Sequence, residues 1–372
     1  MNIKVSELTF EQFLDWRSVW NDSLQRSIDK HVFLTWEWLS SWWRLFGKNR
    51  ELLVLVVEKE RRIVAAAPLM VCCYRPLGLS IRKVEFIATP ASDYHTFLLE
   101  QTEPKYGRAI LQYGRKRVSD WECIELREIP ETSQTARLIW NPAFEENAFR
   151  RRVQSLCYGT ALPLRFEDYL RGLDRKFRQN MRRGERNLKK DYKVDFKICS
   201  DASEVKEYLQ VIMNLHQKRW RSRNEPGIFS DPRTSCFHHE ISRLFFDRGW
   251  LVLNLVTLND VPVAGGYDFT YQNRLYSYVS GFDPGFSRYD ISNLRYLYLL
   301  EYCAKKGIEE WDMMRGDEPY KEKWNTLARR KLELWVTRKR IVPILYDAIT
   351  KDKRFSALAA FLGKHISSRS VL

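Results

Sequence analysis

Cysteine is sparse and unpatterned in this sequence. Only 7 of the 372 residues are cysteine, and no two of them have the C-x-x-C spacing of a metal-binding or redox pair. An odd number of scattered thiols does not fit a disulfide framework, and none of them lies near a histidine in a zinc pattern. We therefore expect reduced, buried cysteines in a reducing compartment, and no metal site.

Long apolar runs are missing as well. The longest weakly polar run, Ile63–Cys73, is far shorter than the roughly 20 apolar residues with which a helix crosses a bilayer. The first residues, MNIKVSELTF, do not place a basic segment before an apolar one, so the pattern predicts no signal peptide. The expectation is a cytoplasmic protein without a transmembrane segment.

Acidic residues are too few to balance the basic ones. There are 62 Lys and Arg against 47 Asp and Glu, which gives a net charge of +15. Such an excess favours polyanionic partners, namely nucleic acid, a phosphorylated cofactor, an acidic carrier protein or a membrane surface, and charge alone does not choose among them. The hydrophobic fraction of 44% over 372 residues predicts a globular chain of two domains.

The hydrophobic pattern contains the same hairpin twice. In the first half, Leu52–Val57 (LLVLVV) and Ile63–Leu69 (IVAAAPL) are aliphatic runs separated by a charged turn. In the second half, Leu251–Val256 (LVLNLV) and Val261–Phe269 (VPVAGGYDF) are separated by TLND. Short runs rich in β-branched and aliphatic residues, bounded by turn residues, predict strands, so each half is predicted to contain a β-hairpin.

The neighbours of the two hairpins also correspond. Each hairpin follows an amphipathic helix and is followed by a strand, a helix and a strand that contains tryptophan. In the first half these four elements are Trp36–Phe46, Lys83–Ala88, Pro104–Arg117 and Trp121–Arg127. In the second half they are His238–Phe246, Arg274–Ser280, Ser292–Lys306 and Ile308–Met314. This order predicts an α/β protein of tandem duplicated units, each a mixed β-sheet flanked by helices. Coincidence is the alternative, because α/β proteins reuse short elements.

The domain boundaries follow from this repeat. A small-residue stretch at Gly159–Pro163 separates the halves, so we expect one unit over residues 1–160 and a second over residues 161–342. Residues 343–372 are predicted to be a helical tail that packs on the body.

One predicted helix is strongly basic. Arg171–Lys190 carries nine cations and two acids, and its apolar residues form a single narrow stripe made of Leu170, Leu173, Phe177, Met181 and Leu188. The helix is either a solvated surface element or a binding surface for phosphates, since like charges at i,i+4 repel each other. Exposed aromatic side chains, which RNA recognition would require for stacking, are not interleaved with the cations, so specific RNA binding is not indicated.

Candidate chemistry is concentrated between Tyr276 and Trp324. A predicted strand leads into the loop Gly281–Asp290 and then into a helix predicted to be capped by Ser292. Free N–H groups and the helix dipole at such a start favour a pyrophosphate. A plain strand–loop–helix connection is the alternative.

A cluster of charged residues follows the next strand, in the segment WDMMRGDEPYK (residues 311–321). Functional groups gather at strand ends in α/β folds, because ligands lie in the crevice beyond the strands. Asp312 is a candidate for orienting or deprotonating an amine, and Lys321 for stabilising an oxyanion or holding a phosphate. The alternative is a salt-bridged turn in which Tyr320 is half-buried.

These segments resemble the GNAT superfamily of acyltransferases over nearly the whole chain. They are most similar to its two-unit branch, the Fem-type transferases and the acyltransferases linked to cellulose and exopolysaccharide biosynthesis. The signature of that branch, a glycine near a strand end, then Tyr-Lys and an aromatic, is matched by Gly316, Tyr320, Lys321 and Trp324. The segment TPASDYHTFLL (Thr89–Leu99) is similar to the branch's Ser-Asp-Tyr segment.

The resemblance implies transfer of an acyl group from a thioester, either acyl-CoA or an acylated carrier protein, to an amine or hydroxyl acceptor in polysaccharide or cell-envelope metabolism. The first unit would be a scaffold or acceptor platform, and the second unit would be catalytic, without a metal. The residues carried over are Tyr320, Lys321 and Asp312 for catalysis or acyl positioning; Arg315, His216, Trp220 and Tyr278 for the acceptor; and Arg288, Ser292 and Asn293 for the cofactor. His216 has a structural role as its alternative.

The sequence departs from the family at the pyrophosphate loop. The usual small residues are replaced by Ile291 and Asn293, whose side chains would crowd the N–H groups that meet phosphate. Coenzyme A bound in the usual way is therefore not expected. Two other functions stay open: an aminoacyl-tRNA-dependent Fem-type peptidoglycan ligase, for which tRNA is the partner, and a non-catalytic partner of a polysaccharide synthase.

Overall fold

The structure is a computed structural model and describes residues 3–59, 62–75, 80–100, 104–118, 122–139 and 148–337. The described chain forms two compact units. Unit 1 contains the described part of Met1–Gln154 together with residues 331–337, and unit 2 is Ser155–Arg330. The sequence-based division assigned residues 331–337 to the second half. The predicted tail at 343–372 and Trp121 lie outside the described residues.

The elements alternate as the sequence pattern predicted. The strands are β1 (Val5–Leu8), β2 (Arg50–Lys59), β3 (Arg62–Tyr74), β4 (Ile81–Phe86), β5 (Leu98–Leu99), β6 (Cys123–Pro130), β7 (Ala148–Ala161), β8 (Val194–Ile198), β9 (Leu251–Leu258), β10 (Val261–Tyr271), β11 (Arg274–Phe282), β12 (Glu310–Arg315) and β13 (Leu327–Thr337). The helices are α1 (Phe10–Asp15), α2 (Arg17–Arg26), α3 (Trp36–Phe46), α4 (Pro104–Arg117), α5 (Gln134–Ile139), α6 (Phe166–Gly172), α7 (Arg175–Asp191), α8 (Val205–Arg221), α9 (Pro232–Asp247) and α10 (Ile291–Lys305).

Unit 1 is built on a mixed sheet in the order β1-β2-β3-β4-β6-β13, with β5 paired to β3. The predicted hairpin is the antiparallel pair β2–β3, and β4 runs parallel to β6. Alternate side chains of these strands point into one hydrophobic core, which α4 and α5 cover with Tyr106, Ile110 and Leu138. Burial of this apolar face is the main stabilisation of the unit.

Unit 2 repeats this plan in the order β7-β12-β11-β10-β9-β8. The second predicted hairpin is the antiparallel pair β9–β10, and β11 runs parallel to β12. Both units therefore have the order helix, hairpin, strand, helix, strand, as the repeat predicted. Buried aromatic rings fill part of the core of unit 2, where Trp311, Trp324, Tyr296 and Phe177 contact one another edge to face or at a tilt.

Two local predictions are corrected by the structure. The basic segment is two helices, α6 and α7, because Leu173 is extended between them and Asp174 caps α7 by accepting a hydrogen bond from the Phe177 N–H at 2.8 Å. The helix α10 begins at Ile291 after Asp290, which has a left-handed backbone, so Ser292 lies inside the first turn and is not the cap. Of the five residues in the predicted apolar stripe, Leu173, Phe177, Met181 and Leu188 are buried and Leu170 is half-buried.

Among the described residues, no helix combines the length and the apolar character that crossing a membrane requires.

Candidate active site between two diverging strands

The strands β11 and β12 pair over only a short part of their length. Their parallel register joins Arg274–Tyr276 to Glu310–Asp312, whereas β11 continues to Phe282 and β12 to Arg315. A β-bulge in β12, where Met314 has a φ of 61°, turns the end of that strand. Beyond Tyr276 and Asp312 no pairing joins the two strands, and we name the place between their unpaired ends, on the side where the sequence analysis placed the charged cluster, the opening.

Lys321 holds the turn that follows β12. Its ammonium group donates hydrogen bonds to the carbonyl oxygens of Met314, Arg315 and Gly316 at 3.2, 2.9 and 3.1 Å, and it lies 3.0 Å from a carboxylate oxygen of Glu318. An ammonium group has three donors, so these contacts occupy it. The side chain is buried, and its geometry is that of a positioning residue for the strand end; a catalytic role stays a prediction.

Asp312 is fully buried at the closed end of the opening. Its carboxylate accepts a hydrogen bond from the Met314 N–H at 2.8 Å and lies 3.7 Å from the guanidinium group of Arg329. These contacts fix the bulge of β12 from inside the sheet. Arg315, one residue beyond, has an exposed side chain at the strand end. Contact of either residue with an acceptor stays a prediction.

Tyr320 lies beside the opening with its ring stacked on Tyr296, at 6.4 Å between the centroids. Burial raises the pKa of Tyr320, and the neighbouring Tyr296 and Glu318 raise it further, whereas the guanidinium group of Arg219 acts in the opposite direction. The phenol therefore keeps its proton at neutral pH and is an O–H donor. Arg219 of α8 is therefore close enough to act electrostatically on this phenol.

Arg219 is the residue that the sequence analysis missed. Its guanidinium carbon lies 5.2 Å from the ring centroid of Phe282, at the end of β11. Its buried Nε atom has no hydrogen-bond partner among the described residues. A cation that has a buried, unsatisfied donor beside the opening is suited to an anionic group of a ligand. The segment LHQKRW, from which His216 and Trp220 were chosen, also contains Arg219 and could have indicated it.

A glycine lets α8 approach β11 closely enough to place Arg219. A Cβ atom added at Gly281 would lie 2.2 Å from the backbone nitrogen of His216, which is too close for any side chain. The helix and the strand are therefore in backbone contact at this point. His216 and Arg219, one turn apart on α8, are positioned by that contact.

Three of the four predicted acceptor residues, His216, Trp220 and Tyr278, lie in one group of aromatic rings. His216 contacts Trp220 and Phe229, with centroids at 5.8 and 5.0 Å; Phe229 contacts His238, which in turn contacts Tyr278. Burial lowers the pKa of His216 to about 4 and that of His238 to about 3. Both imidazoles are thus neutral at physiological pH. The structure brings these side chains together, and their contact with an acceptor stays a prediction.

The start of α10 does not offer a cradle for a pyrophosphate. The carboxylate of Asp290 stands there and accepts from the side-chain amide of Asn293 at 2.8 Å, and the amide oxygen of Asn293 accepts from the Trp324 indole N–H at 3.0 Å. Arg288 is turned onto the ring of Tyr289, to whose hydroxyl it donates at 2.8 Å. A carboxylate in this place opposes a phosphate, so the arrangement does not fit coenzyme A bound in the usual way.

Unit 1 has the corresponding strand ends, and a loop occupies them. His95 stacks on Phe86 of β4 at 4.9 Å, and its backbone N–H donates to the carbonyl oxygen of Glu128 in β6 at 3.0 Å. Lys331 is fully buried beside this loop, donates to the carbonyl oxygen of Asp93 at 2.9 Å and pairs with the carboxylate of Glu128. His95 thus bridges β4 and β6, where unit 2 has its opening.

No group of His, Cys, Asp and Glu side chains in the described part of the chain is arranged to hold a metal ion.

The fold defined by these two units is that of tandem GNAT proteins, as comparison with solved structures shows. FemX superimposes with a TM-score of 0.63 at 11% identity, covering 93% of this chain and 99% of FemX. A tandem GNAT protein from the clavulanic acid biosynthesis pathway superimposes with a TM-score of 0.51 at 12% identity, covering 90% and 98%. The C-terminal domain of a putative lysylphosphatidylglycerol synthetase from Agrobacterium fabrum gives 0.52 at 10% identity, covering 87% and 92%.

The sequence itself matches one family. Residues 175–322 match the acetyltransferase (GNAT) domain. No curated protein sequence matches the chain. The matched residues run from the start of α7 to Glu322 and include the diverging strands and all ten site residues predicted from the sequence. The expected GNAT-type fold is confirmed, and the match supports a transferase; the branch linked to cellulose biosynthesis stays a prediction.

Proposed function

We propose that the chain is an acyltransferase whose reaction takes place in the opening between β11 and β12. The end of pairing between the two strands beyond Tyr276 and Asp312 carries this proposal, because it leaves both strand ends unpaired within the segment that matches the acetyltransferase domain. A donor carbonyl held there has the phenol of Tyr320 and the guanidinium group of Arg219 beside it. The acceptor is an amine or a hydroxyl.

The residues divide into three roles. The acceptor attacks the carbonyl carbon, the bond to the donor's leaving group breaks, and the acceptor's proton passes through solvent to the departing group. Tyr320 keeps its proton and donates a hydrogen bond to the carbonyl oxygen or to the departing group. Arg219 stabilises negative charge that develops in the transition state or is carried by the substrate. Lys321 and Asp312 hold the bulge of β12, and His216, Trp220 and Tyr278 line the side on which the acceptor lies.

The donor is a thioester of coenzyme A or of an acidic carrier protein. Because Asp290 and Asn293 occupy the start of α10, the phosphates of either donor would be held elsewhere. We assign them to Arg219, whose buried Nε has no hydrogen-bond partner among the described residues. The setting we propose is polysaccharide or cell-envelope metabolism in the cytoplasm, which rests on the sequence resemblance alone.

Arg219→Gln tests the proposal. The variant keeps the size of the side chain and removes its charge, and loss of one such stabilising group lowers turnover by about 10²–10³-fold. Thiol release from a panel of acyl-CoA and acyl-phosphopantetheine donors, with amine and hydroxyl acceptors, measures the rate. Arg221→Gln, an exposed change two residues away on the same helix, is the matched control. Equal turnover of Arg219→Gln and the wild type would remove Arg219 and this opening from the mechanism.

An aminoacyl-tRNA-dependent ligase is the second candidate function. The absence of a pyrophosphate cradle among the described residues at the start of α10 and the structural similarity to FemX favour it. Filter binding of charged tRNA over a salt series should then give a steep negative slope of log affinity against log salt.

Thermal shift distinguishes an enzyme from a non-catalytic partner protein. A ligand at a hundred times its Kd stabilises the protein that binds it by about 2.7 kcal/mol. No shift with any thioester or charged tRNA would favour a non-catalytic partner protein.

A further inference from the structure

The exposed side of α7 is a continuous row of cations. Phe177, Met181 and Leu188 are buried on one side of this helix. At about 100° per residue, the opposite side carries the cations that we name the basic ridge, namely Arg175, Lys176, Arg182, Arg183, Arg186 and Lys190, all exposed. With 17 residues, α7 is roughly 25 Å long. The ridge is therefore a straight, rigid array of positive charge.

The charge of the ridge is not balanced within the protein. Among the residues that the structure describes, no ridge cation forms an ion pair with an Asp or Glu, and Arg183 donates only to the side-chain oxygen of Asn180 at 3.2 Å. The neighbouring Lys189, by contrast, is paired with Glu185 at 2.6 Å. Like charges along one helix repel each other, so the ridge is destabilising unless an anion covers it.

A cavity opens beside the ridge, between α6, α7 and α10. Its volume is about 280 Å³, close to the lower end of small-ligand pockets. Phe166, Leu170, Met181 and Leu297 supply apolar lining, and Arg182 of the ridge also lines it. Three acids line it as well: Glu185 accepts from Lys189 and from the Tyr298 hydroxyl, Glu301 pairs with Lys305, and Glu167 forms no ion pair among the described residues. The cavity thus combines an apolar surface with an unpaired cation.

We propose that the basic ridge and this cavity bind the surface of a bilayer that contains anionic phospholipids. The ridge contacts the lipid phosphates, and the cavity takes the first part of an acyl chain. Each Lys or Arg held near an anionic leaflet strengthens binding by roughly fivefold. The apolar side of α7 is buried in the protein, so the helix lies on the headgroups without inserting.

The observations favour a lipid surface over a nucleic acid. Nucleic-acid surfaces that bind single strands place aromatic side chains among the cations for stacking. Phe177 is the single aromatic residue of α7, and it is buried under the helix. An apolar cavity at the edge has no role toward a polyphosphate backbone, whereas it fits an amphiphile that carries one anionic group. This inference is independent of the proposed acyl transfer.

Flotation with vesicles tests the inference. The full chain should float with phosphatidylcholine vesicles that contain phosphatidylglycerol and should stay behind with phosphatidylcholine alone, and the binding should weaken as salt rises. Reversal of three ridge charges, in Arg182→Glu, Arg183→Glu and Arg186→Glu together, should lower the affinity by at least ~100-fold. The matched control reverses three exposed cations of α4, in Lys105→Glu, Arg108→Glu and Lys116→Glu, and should bind as the wild type does.

A second variant separates the cavity from the ridge. Leu297→Trp fills the cavity and leaves every ridge charge in place, so it should weaken binding to the anionic vesicles by less than the triple reversal does. The inference is overturned if the wild type does not float with anionic vesicles, or if the α4 control loses binding as the ridge variant does. It is also overturned if duplex RNA or tRNA binds the ridge while the vesicles do not, since the surface is then one for nucleic acid.

Discussion

The two units have the same order of elements and differ where their parallel strands end. In unit 1 the loop after β4 returns to the sheet, and His95 joins β4 to β6 by stacking on Phe86 and donating to Glu128. In unit 2 the chain leaves β11 through Gly281 and Phe282, and Arg219 of α8 faces the strand end. In our proposal one fold serves as a closed support in unit 1 and as an open site in unit 2, and the loop after one strand makes the difference.

A buried lysine stabilises the strand ends in each unit, but the two lysines have different acidic partners. Lys331 in unit 1 pairs with Glu128, which is itself buried. Lys321 in unit 2 pairs with Glu318, which is half exposed, and its other partners are carbonyl oxygens. Loss of the lysine leaves a buried charge in unit 1 and only unsatisfied carbonyls in unit 2. We therefore expect loss of Lys331 to destabilise the protein more than loss of Lys321 does.

Lys331→Ala should lower the free energy of unfolding by about 3–5 kcal/mol, because it removes the lysine that pairs with the buried carboxylate of Glu128. Lys321→Ala should cost about 1–3 kcal/mol, the cost of unsatisfied buried polar groups. Chemical denaturation measures both, and thiol release measures transfer. Lys321→Ala should also reduce turnover, because the end of β12 loses its support. Lys331→Ala should lower the fraction of folded protein, but each folded molecule should turn over at the wild-type rate. Equal costs for the two variants would contradict the distinction between the units.

The two units should respond to acid in different pH ranges. The pKa values of His216 and His238 in unit 2 are lowered from 6.5 to about 4 and about 3. The unfolded chain then binds protons that the folded unit does not, so stability falls as the pH drops below 6.5, by on the order of 2 kcal/mol per histidine at about pH 5. Hydrogen exchange should show α8 and α9 losing protection there.

In unit 1 the corresponding loss should begin at lower pH. Burial acts to raise the pKa of Glu125, but Lys83 and Arg127 outweigh it and hold this pKa below 4.5. Its contribution is present above pH 4.5 and is lost as the pH falls below that value. His238→Phe should remove part of the acid sensitivity of unit 2 and leave that of unit 1 unchanged. Simultaneous loss of protection in both units would show that they do not titrate separately.

Gly281→Ala should have a smaller effect on stability and a clear one on the site. The added Cβ lies 2.2 Å from the backbone of α8, so the helix must move, which costs about 1–3 kcal/mol. Arg219 moves with it, and turnover should fall. Gly172→Ala, where the new Cβ meets no atom within 4 Å, should stay within about 0.5 kcal/mol of the wild type. Full turnover in Gly281→Ala would show that the close contact does not position Arg219.

The fold was predictable because its signals are local. Each hairpin is a pair of aliphatic runs with a turn between them, and the bounds of α3 and α4 follow from hydrophobic periodicity and from their basic ends. The break between α6 and α7 was missed, although only Leu173 separates Gly172, a residue that favours a helix end, from Asp174, a residue that favours a helix start. The charge pattern across the break suggested one continuous helix.

The site was predictable only in part because its geometry depends on distant segments. Tyr320 follows from the motif at the end of β12. Arg219 requires that α8 lie against β11 at Gly281, which no spacing in the sequence reveals. The same holds for Lys331, whose partners Asp93 and Glu128 are about 200 and more positions away in the chain. Ser292 was chosen as a cap by residue type, whereas the backbone at Asp290 sets the helix start.

The strand β13 contributes residues to both units, and this affects the order in which the units are completed during synthesis. The strand β13 begins in unit 2 and continues into unit 1, where Lys331–Thr337 pair with Cys123–Pro130 of β6. At ribosomal speeds of about 5–20 residues per second, some 10–40 s separate the synthesis of β6 from that of its neighbour. Unit 2 is therefore fully synthesised just before unit 1 receives its last strand, although the first half of the message encodes most of unit 1.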